Sequence, residues 1–219
     1  MKDYHEKQQS YFGTPRREML PFIPEGITSV LEIGCGTGAF GALVKQQRRC
    51  RYTGVELMEQ AAELARTRLD EVVVANIEHT NLPFEYGSFD CLVCNDVLEH
   101  LVDPWQSLKD LTKFLSPGGY IISSLPNVRF SEVVKDLVIR KRWEYKSEGV
   151  LDRTHLRFFT EKSIESLMKS AGLNVLELRG INPIQYAWRL KLLNILLFGQ
   201  LDDMRYPQYG CLAQIRSND

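Results

Sequence analysis

The sequence predicts an α/β fold: a Rossmann-like, doubly wound sheet with helices on both faces. Two observations lead to this prediction. Short, mostly apolar strands alternate with helical segments along the 219 residues, and that alternation is typical of βαβ units in a parallel sheet. In addition, the first predicted strand runs directly into closely spaced glycines and then into a helix. Sheets of this class bind ligands at such a turn.

Seven strands are expected, each a short apolar run bounded by polar or turn-forming residues. The predicted strands cover residues 29–33, 51–56, 72–75, 90–94, 120–124, 175–178 and 209–215. The first five are separated by helices or short connections, whereas the last two arrive as a widely separated pair. We therefore expect five central strands extended by two at one edge.

Helices are predicted between these strands from helical spacing of apolar residues and from their end signals. The predicted helices cover residues 39–47, 59–69, 104–115 and 161–171. Asp103 and Pro104 form a typical N-cap and N1 pair. The run Ser116-Pro-Gly-Gly119 is a stop signal for that helix, and Thr160 caps the next one.

A single domain is predicted over residues 1–219. Three segments do not belong to a minimal α/β repeat. Residues 1–24 are interpreted as an N-terminal helical lid, and residues 127–159 and 180–208 are longer than ordinary connections in such folds. We interpret the last two as cap insertions.

Composition excludes several classes of protein. The chain has 27 Lys+Arg and 28 Asp+Glu, a formal net charge of −1, so a dedicated nucleic-acid binder with a basic domain is not expected. The opening MKDYHEKQQS lacks the apolar region of a signal peptide, and no run suits a membrane span. The five cysteines, including the pair in Cys91-Leu-Val-Cys94, are interpreted as reduced, mostly buried thiols. A cytoplasmic protein, monomeric or homodimeric, is predicted.

The glycine-rich turn Gly34-Cys35-Gly36-Thr37-Gly38 carries the most information. Gly34-x-Gly36-x-x-Ala39 formally satisfies the dinucleotide fingerprint, and Glu56 lies 20 residues past Gly36. A nicotinamide-dependent dehydrogenase is therefore one hypothesis. Glu32, however, precedes the first glycine at the strand's carboxyl end, where a carboxylate would repel a pyrophosphate and suit a cation. S-adenosylmethionine offers that cation together with a ribose diol.

From residue 27 to residue 125 the sequence resembles the class I S-adenosylmethionine-dependent methyltransferases. VLEIGCGTGAFG resembles the first motif of the family, and GVELMEQA resembles the second. LPFEYGSFDCLVCNDVLEHLVDPW and LSPGGYIISSLPN resemble the fourth-strand motif and the fifth strand. The resemblance implies strand order 3-2-1-4-5-7-6 with the last strand antiparallel.

The resemblance also implies a set of cofactor-binding residues. The glycines and Glu32 surround the methionine part, Glu56 binds the ribose, and neighbouring positions contact the adenine. Asn76 stands where the family usually has an acidic residue, and an asparagine can still hydrogen-bond an amino group. The predicted set is Glu32, Gly34, Cys35, Gly36, Gly38, Glu56, Leu57, Met58, Asn76, Ile77, Asn95 and Asp96.

Acceptor-binding and catalytic residues are expected mainly in the N-terminal segment and the first insertion. Tyr4 and Asp152 are cap candidates, and the principal substrate candidates are Tyr11, Arg16, His100, Trp143 and Arg157. His155 is predicted at the mouth of the site as a general base, the alternative being a histidine that fixes its loop. No metal is predicted.

Methyl transfer from S-adenosylmethionine to an unidentified small or medium acceptor is the function predicted. The basic run at residues 140–142 indicates an anionic acceptor, or alternatively only a solvated helix face. The stretch DRTHLRFFTEKSIESLMKSAGL resembles a segment in bacterial members of the family, some of which act in sugar or cell-envelope pathways. A non-catalytic S-adenosylmethionine-binding protein and a dehydrogenase remain the alternative hypotheses.

Overall fold

Seven strands form one mixed sheet in the computed structural model, which describes residues 15–185 and 188–216. They are β1 (Ser29–Ile33), β2 (Arg51–Glu56), β3 (Glu71–Val74), β4 (Phe89–Asn95), β5 (Leu115–Pro126), β6 (Leu173–Ile181) and β7 (Gln208–Ile215). Their order is β3-β2-β1-β4-β5-β7-β6. The first five are parallel, and β7 is antiparallel to both β5 and β6. The predicted order and the antiparallel last strand are confirmed.

Six α-helices are described, and two of them begin with the caps predicted from sequence. The helices are α1 (Ala39–Gln47), α2 (Glu59–Ala65), α3 (Pro104–Leu111), α4 (Ser131–Val138), α5 (Glu161–Ser170) and α6 (Trp188–Leu196). The Asp103 side chain accepts a hydrogen bond from the Gln106 N–H at 3.0 Å. Thr160 and Ser163 form a reciprocal capping box at the start of α5. Both caps satisfy N–H groups that a helix start leaves unpaired.

The fifth strand is longer than predicted. β5 begins at Leu115, so the residues expected only to stop the preceding helix are part of the strand. α3 ends at Leu111, and a 3-10 turn over Thr112–Phe114 leads into β5. The pairing with β4 starts at Phe89 opposite Leu115 and then shifts register before Cys91. Such an irregularity accommodates glycines within a strand.

The core lies on both faces of the sheet, because successive side chains of each strand point to opposite sides. On β4, Leu92 and Cys94 belong to one apolar cluster, whereas Cys91 and Val93 belong to the other. Both faces of the central strands are therefore buried. This explains why their sequences are continuous apolar runs rather than alternating ones.

The cysteine pair of β4 is part of this core. Cys91 and Cys94 are completely buried free thiols, and burial raises the pKa of each thiol well above its usual value. A redox-active pair needs an accessible thiolate. The structure therefore agrees with the interpretation of both residues as core side chains.

The N-terminal segment is docked on the sheet where it is described. Residues 1–14 of the predicted lid lie outside the described residues, and Arg17–Phe22 form a 3-10 helix rather than an α-helix. Met19 and Phe22 are completely buried. A Cβ atom added at Gly210 of β7 would come within 2.4 Å of the Phe22 ring. The glycine therefore makes room for Phe22, and this packing fixes the position of Arg16 just before the helix.

The two insertions differ in how they are packed. Residues 127–159 contain α4, and a parallel bridge between Asn127 and Phe159 joins the two ends of this insertion. Residues 180–208 contain α6 and carry exposed apolar side chains, Ile195 within α6 and Phe198 just after it, the latter 94% exposed. No helix in the described part of the chain, α6 included, is long and apolar enough to cross a membrane.

Candidate functional site

A cleft of about 540 Å³ opens at the carboxyl ends of β1, β2 and β4. The carboxyl edge of a doubly wound sheet is where ligands of this fold class bind. The cleft contains these predicted cofactor residues: Glu32, Gly34, Cys35, Gly36, Glu56, Leu57, Asn76, Ile77, Asn95 and Asp96. Gly38 and Met58 are not among its lining residues. One cavity therefore brings together most of the residues predicted from three separate strand ends.

The turn after β1 depends on glycine at each of its three glycine positions. Gly34, Gly36 and Gly38 have φ angles of 66°, 53° and 74°, in the left-handed region that side chains disfavour. At Gly34 a Cβ atom would also lie 2.8 Å from Val97. Gly38 caps α1 from outside the cleft. Its role here is therefore to begin the helix rather than to line the cavity.

The Glu56 carboxylate is held at the centre of the cleft by backbone N–H groups. Its Oε2 atom accepts from Gly36 at 2.8 Å, and its Oε1 atom accepts from Leu57 and Met58, each at 2.9 Å. The residue is 4% exposed. Burial raises its pKa and the three backbone hydrogen bonds oppose that rise. An acid fixed in this way is suited to accept hydrogen bonds from a diol.

Glu32 is the second buried acid of the cleft. It is 3% exposed, and burial raises its pKa to about 8, with the Tyr52 hydroxyl lowering it and the charge of Glu56 raising it further. Its Oε2 atom is buried and forms no hydrogen bond with any other described residue. The side chain is therefore neutral near pH 7 until a cation enters the cleft and favours its charged form.

Asn95, at the end of β4, also has buried polar atoms that form no hydrogen bond with the other described residues. Both polar atoms of its side chain, Nδ2 and Oδ1, are buried without a hydrogen-bond partner among the described residues. Buried amide groups are almost always hydrogen-bonded. Because Asn95 lines the cleft, its side chain can bond a ligand there with both a donor and an acceptor.

Asp96 and Arg16 form an ion pair at the edge of the cleft. The two guanidinium nitrogens of Arg16 lie 2.8 and 3.2 Å from the two carboxylate oxygens of Asp96. The Oδ1 atom of Asp96 also accepts from the Ser124 hydroxyl at 2.8 Å and from the Gln208 amide at 2.9 Å. Asp96 has φ 53°, an uncommon conformation that its hydrogen bonds to β5 maintain.

His155 occupies a different place from the predicted one. The prediction set it at the mouth of the site, but it is 8% exposed and is not a lining residue of the cleft. Its Nδ1 atom lies 2.9 Å from the Val150 carbonyl, and its Nε2 atom lies 4.0 Å from Glu99. The loop folds the imidazole inward because Asp152 accepts hydrogen bonds from the Thr154 N–H and hydroxyl. A buried histidine is poorly placed to meet an acceptor directly.

The substrate candidates separate into two groups. Arg16 and His100 line the cleft. Trp143 instead packs edge-on against Phe158, with ring centroids 5.4 Å apart. Arg157 donates to the Val102 carbonyl and borders a separate shallow groove. Neither Trp143 nor Arg157 is a lining residue of the cleft. Tyr4 and Tyr11 lie outside the described residues.

The basic run at residues 140–142 also lies away from the cleft. Arg140 pairs with Asp136 one turn earlier, at 2.6 Å between Nη1 and Oδ1. All three residues are exposed, and none lines the cavity. The arrangement agrees with the interpretation of this run as a solvated surface.

Several lining residues were not in the predicted set. Arg153, Thr154 and Leu156 flank His155 in the first insertion, and Glu78 and His79 follow Asn76. The first three lie in the stretch that resembles bacterial members of the family. Their position next to His155 in that stretch is the sequence signal that indicates them. The Glu78 Oε1 atom accepts from the Val102 N–H at 2.8 Å, and this bond joins two loops at the rim.

Chemically, the cleft combines a helix start, two acids and an amide. The N–H groups of Gly34, Cys35 and Gly38 donate to backbone carbonyls, and that of Gly36 donates to Glu56, so the turn offers a close backbone approach rather than an anion site. Glu32 suits a cation, and Glu56 suits a diol. A ligand that carries both groups matches the site better than a dinucleotide, whose pyrophosphate would lie beside Glu32.

Comparisons with known proteins agree with this assignment. A family model described as a methyltransferase domain matches residues 4–178. A ubiquinone biosynthesis O-methyltransferase from Acinetobacter baylyi is 26% identical over 168 residues, which are 71% of this chain and 68% of that protein. An uncharacterised 37.1 kDa transposon protein from Streptomyces fradiae is 35% identical over 105 residues, 45% of this chain, and the match spans only 30% of that protein.

The fold comparison shows the same fold in a solved structure. The solved structure of an S-adenosylmethionine-dependent methyltransferase from Archaeoglobus fulgidus matches with a TM-score of 0.69 and 17% identity, covering 97% of both chains. S-adenosylmethionine is the cofactor shared by these structural neighbours. Since the family model covers most of the chain, this protein belongs to the family of S-adenosylmethionine-dependent methyltransferases.

Proposed function

We propose that the chain transfers the methyl group of S-adenosylmethionine to an oxygen atom of a small acceptor. The ribose hydroxyls bond the Glu56 carboxylate, and the methionine part lies on the glycine turn between Glu32 and Asn95. The adenine extends toward Leu57 and Ile77. Small apolar contacts and one amide at Asn76 suit a flat aromatic base with an exocyclic amino group.

The observation that carries this proposal is that two cleft residues, at the ends of β1 and β4, have buried polar atoms without a hydrogen-bond partner among the described residues. Glu32 has one buried oxygen without a partner among the described residues, and Asn95 has two buried polar atoms in the same condition. Leaving such groups unpaired costs free energy, about 1–3 kcal/mol for each. An amino acid group offers an ammonium to Glu32 and both charged groups to Asn95, so one ligand satisfies both residues.

We assign the acceptor to the part of the cleft lined by Arg16, His100 and Thr154. Support for oxygen as the attacking atom comes from the relatives, which are named as O-methyltransferases. The reaction is an in-line displacement at a methyl group that the sulfonium already activates. The protein therefore contributes mainly by holding the two reactants in line and excluding water.

Calorimetric titration with S-adenosylmethionine and with NAD tests the cofactor. We expect the first to bind and the second not to bind. A protein that takes NAD and ignores the sulfonium compound would be a dehydrogenase instead.

A labelled-methyl screen tests the acceptor. The protein is incubated with methyl-labelled S-adenosylmethionine and separate pools of phenols, sugars and amines, and label in an ether product is expected. Label only in amine products would contradict the choice of oxygen. Tight cofactor binding without turnover in any pool would favour the non-catalytic alternative.

A further inference from the structure

A compact cluster of two histidines and one glutamate lies behind one wall of the cleft. The ligand-type atoms of Glu99, His100 and His155 all lie within 4.8 Å of one another. Glu99 is 1% exposed and His155 is 8% exposed. Glu99 and His100 belong to one 3-10 turn after β4, whereas His155 comes from the first insertion. The fold therefore assembles this cluster from two distant parts of the sequence.

Both imidazoles are oriented by backbone carbonyl groups. The Nδ1 atom of His100 lies 3.0 Å from the Thr154 carbonyl, and the Nδ1 atom of His155 lies 2.9 Å from the Val150 carbonyl. A carbonyl only accepts hydrogen bonds, so each Nδ1 is the donor. In the neutral ring the lone pair is then on Nε2. Metal-binding histidines are typically fixed in this way, by donating the other ring N–H to a carbonyl.

The loop that carries His155 is itself tied to Glu99. The backbone carbonyl of Glu99 accepts from the Leu156 N–H at 2.8 Å and from the Arg157 N–H at 3.0 Å. The His100 and His155 rings meet edge to face, with centroids 4.8 Å apart. These backbone hydrogen bonds and the ring contact hold the three side chains close together.

We infer that Glu99, His100 and His155 form a binding site for a divalent transition metal ion. Two imidazole nitrogens and one carboxylate are the donor set of catalytic zinc sites and of related sites for iron, manganese or cobalt. Magnesium and calcium prefer oxygen ligands throughout, so the two nitrogens favour a transition metal.

Coordination would require the three side chains to move closer together. Tetrahedral ligands at zinc distances are about 3.4 Å apart, whereas the ligand-type atoms of the cluster lie within 4.8 Å of one another, and Nε2 of His155 and Oε1 of Glu99 are 4.0 Å apart. Three protein ligands leave at least one coordination position for water or for a ligand. His100 and Thr154 line the cleft, so the cluster borders the part of the cavity that we assign to the acceptor. If methyl transfer to oxygen occurs as proposed, the ion would attract the acceptor oxygen and lower the pKa of its hydroxyl.

Cobalt binding tests the site directly. The full chain is treated with a chelator, dialysed and titrated with Co²⁺, with visible absorption and calorimetry as readouts. One equivalent is expected, displaced by Zn²⁺, with affinity falling as the pH is lowered because protons compete for the imidazoles. No binding of either ion by the wild-type chain would overturn the site and leave the cluster as a buried ion pair.

Three variants and a control locate the ion. Glu99→Gln, His100→Gln and His155→Gln should each weaken binding more than about a hundredfold, since loss of even an outer partner costs 10–100-fold. His79→Gln, at a cleft histidine outside the cluster, should leave binding unchanged. Equal metal affinity in the cluster variants and the wild type would show that the ion binds elsewhere, for example at thiols.

Two further measurements keep the outcomes separate. Circular dichroism and melting curves show whether each variant folds. If Glu99→Gln and His155→Gln do not fold, His100→Gln still tests the site, because His100 is the least buried member of the cluster. Titration with S-adenosylmethionine follows cofactor binding independently. A chain that binds the cofactor but no metal refutes only the metal site, and a chain that binds metal but no cofactor refutes only the proposed function.

Discussion

The Glu56 carboxylate accepts a hydrogen bond from the backbone N–H of Gly36 at 2.8 Å. This bond joins the end of β2 to the glycine turn after β1, two segments that are 20 residues apart. The acid that we assign to the ribose therefore also holds the turn that we assign to the methionine part. A change at either residue is expected to affect both parts of the cofactor site.

Replacing Glu56 tests the ribose assignment. Glu56→Ala removes charge-assisted hydrogen bonds worth about 1.5–3 kcal/mol, so affinity for S-adenosylmethionine should fall about tenfold to a hundredfold while the fold persists. Calorimetric titration measures the loss. Glu71→Ala, at a glutamate on β3 whose side chain pairs with Arg51 at the surface, is the control. Unchanged affinity in Glu56→Ala would refute the assignment.

Gly36→Ala tests the turn itself. A side chain at φ 53° is strained by about 1–2 kcal/mol, and Gly36 lines the cleft. Gly26→Ala is a matched control, because Gly26 has φ 77° and nothing within 4 Å of an added Cβ atom. Both variants should lose similar stability in urea, but only Gly36→Ala should lose cofactor binding. Loss of binding in both would indicate a general folding defect.

The raised pKa of Glu32 predicts a pH dependence of stability without cofactor. Burial raises this pKa from 4.5 to about 8, so between those values the folded protein holds a proton that the unfolded chain has lost. Stability should therefore fall as the pH rises from about 5 through 8. Glu32→Gln removes this titration. In melting curves, the stability of this variant relative to the wild type should therefore increase from pH 6 to pH 9.

The size of that effect is measurable. At this chain length a change of about 1 kcal/mol in the free energy of unfolding moves the melting temperature by about 2–4 °C. The difference in melting temperature between Glu32→Gln and the wild type should increase by at least that amount from pH 6 to pH 9. Parallel pH profiles of the wild type and Glu32→Gln would mean that Glu32 titrates normally.

The sheet and its cofactor side were predictable because local signals determine them. The short apolar strands, the Asp103 cap and the glycine turn each depend on neighbouring residues only, and their ranges agree with the structure to within a few residues. β5 differs most. Its extension to Leu115 depends on pairing with Phe89 of β4, and long-range pairing is not visible in a local pattern.

The position of His155 was not predictable for a similar reason. The sequence places His155 in the first insertion, on the correct side of the sheet. It does not determine whether the side chain points inward from its loop or outward. That choice depends on the Asp152 turn and on backbone bonds from the loop to Glu99. Likewise, the sequence indicates Arg16 as a substrate candidate but not its pairing with Asp96. That pair joins residues far apart in sequence, so no local pattern predicts it.

The Arg16–Asp96 pair yields the last prediction. Each side chain is largely buried, with exposed fractions of 16% and 24%. Arg16→Ala leaves the Asp96 carboxylate without its cation and should cost about 1–3 kcal/mol. Asp96→Asn should cost less, because Glu18 still pairs with Arg16 at 3.2 Å. Removing both should cost less than the sum, with a coupling energy of about 0.5–3 kcal/mol. Urea unfolding of the two single variants and the double variant measures it. Arg17→Ala, at the adjacent exposed arginine, should be nearly neutral. Strictly additive losses would show that the two residues act independently.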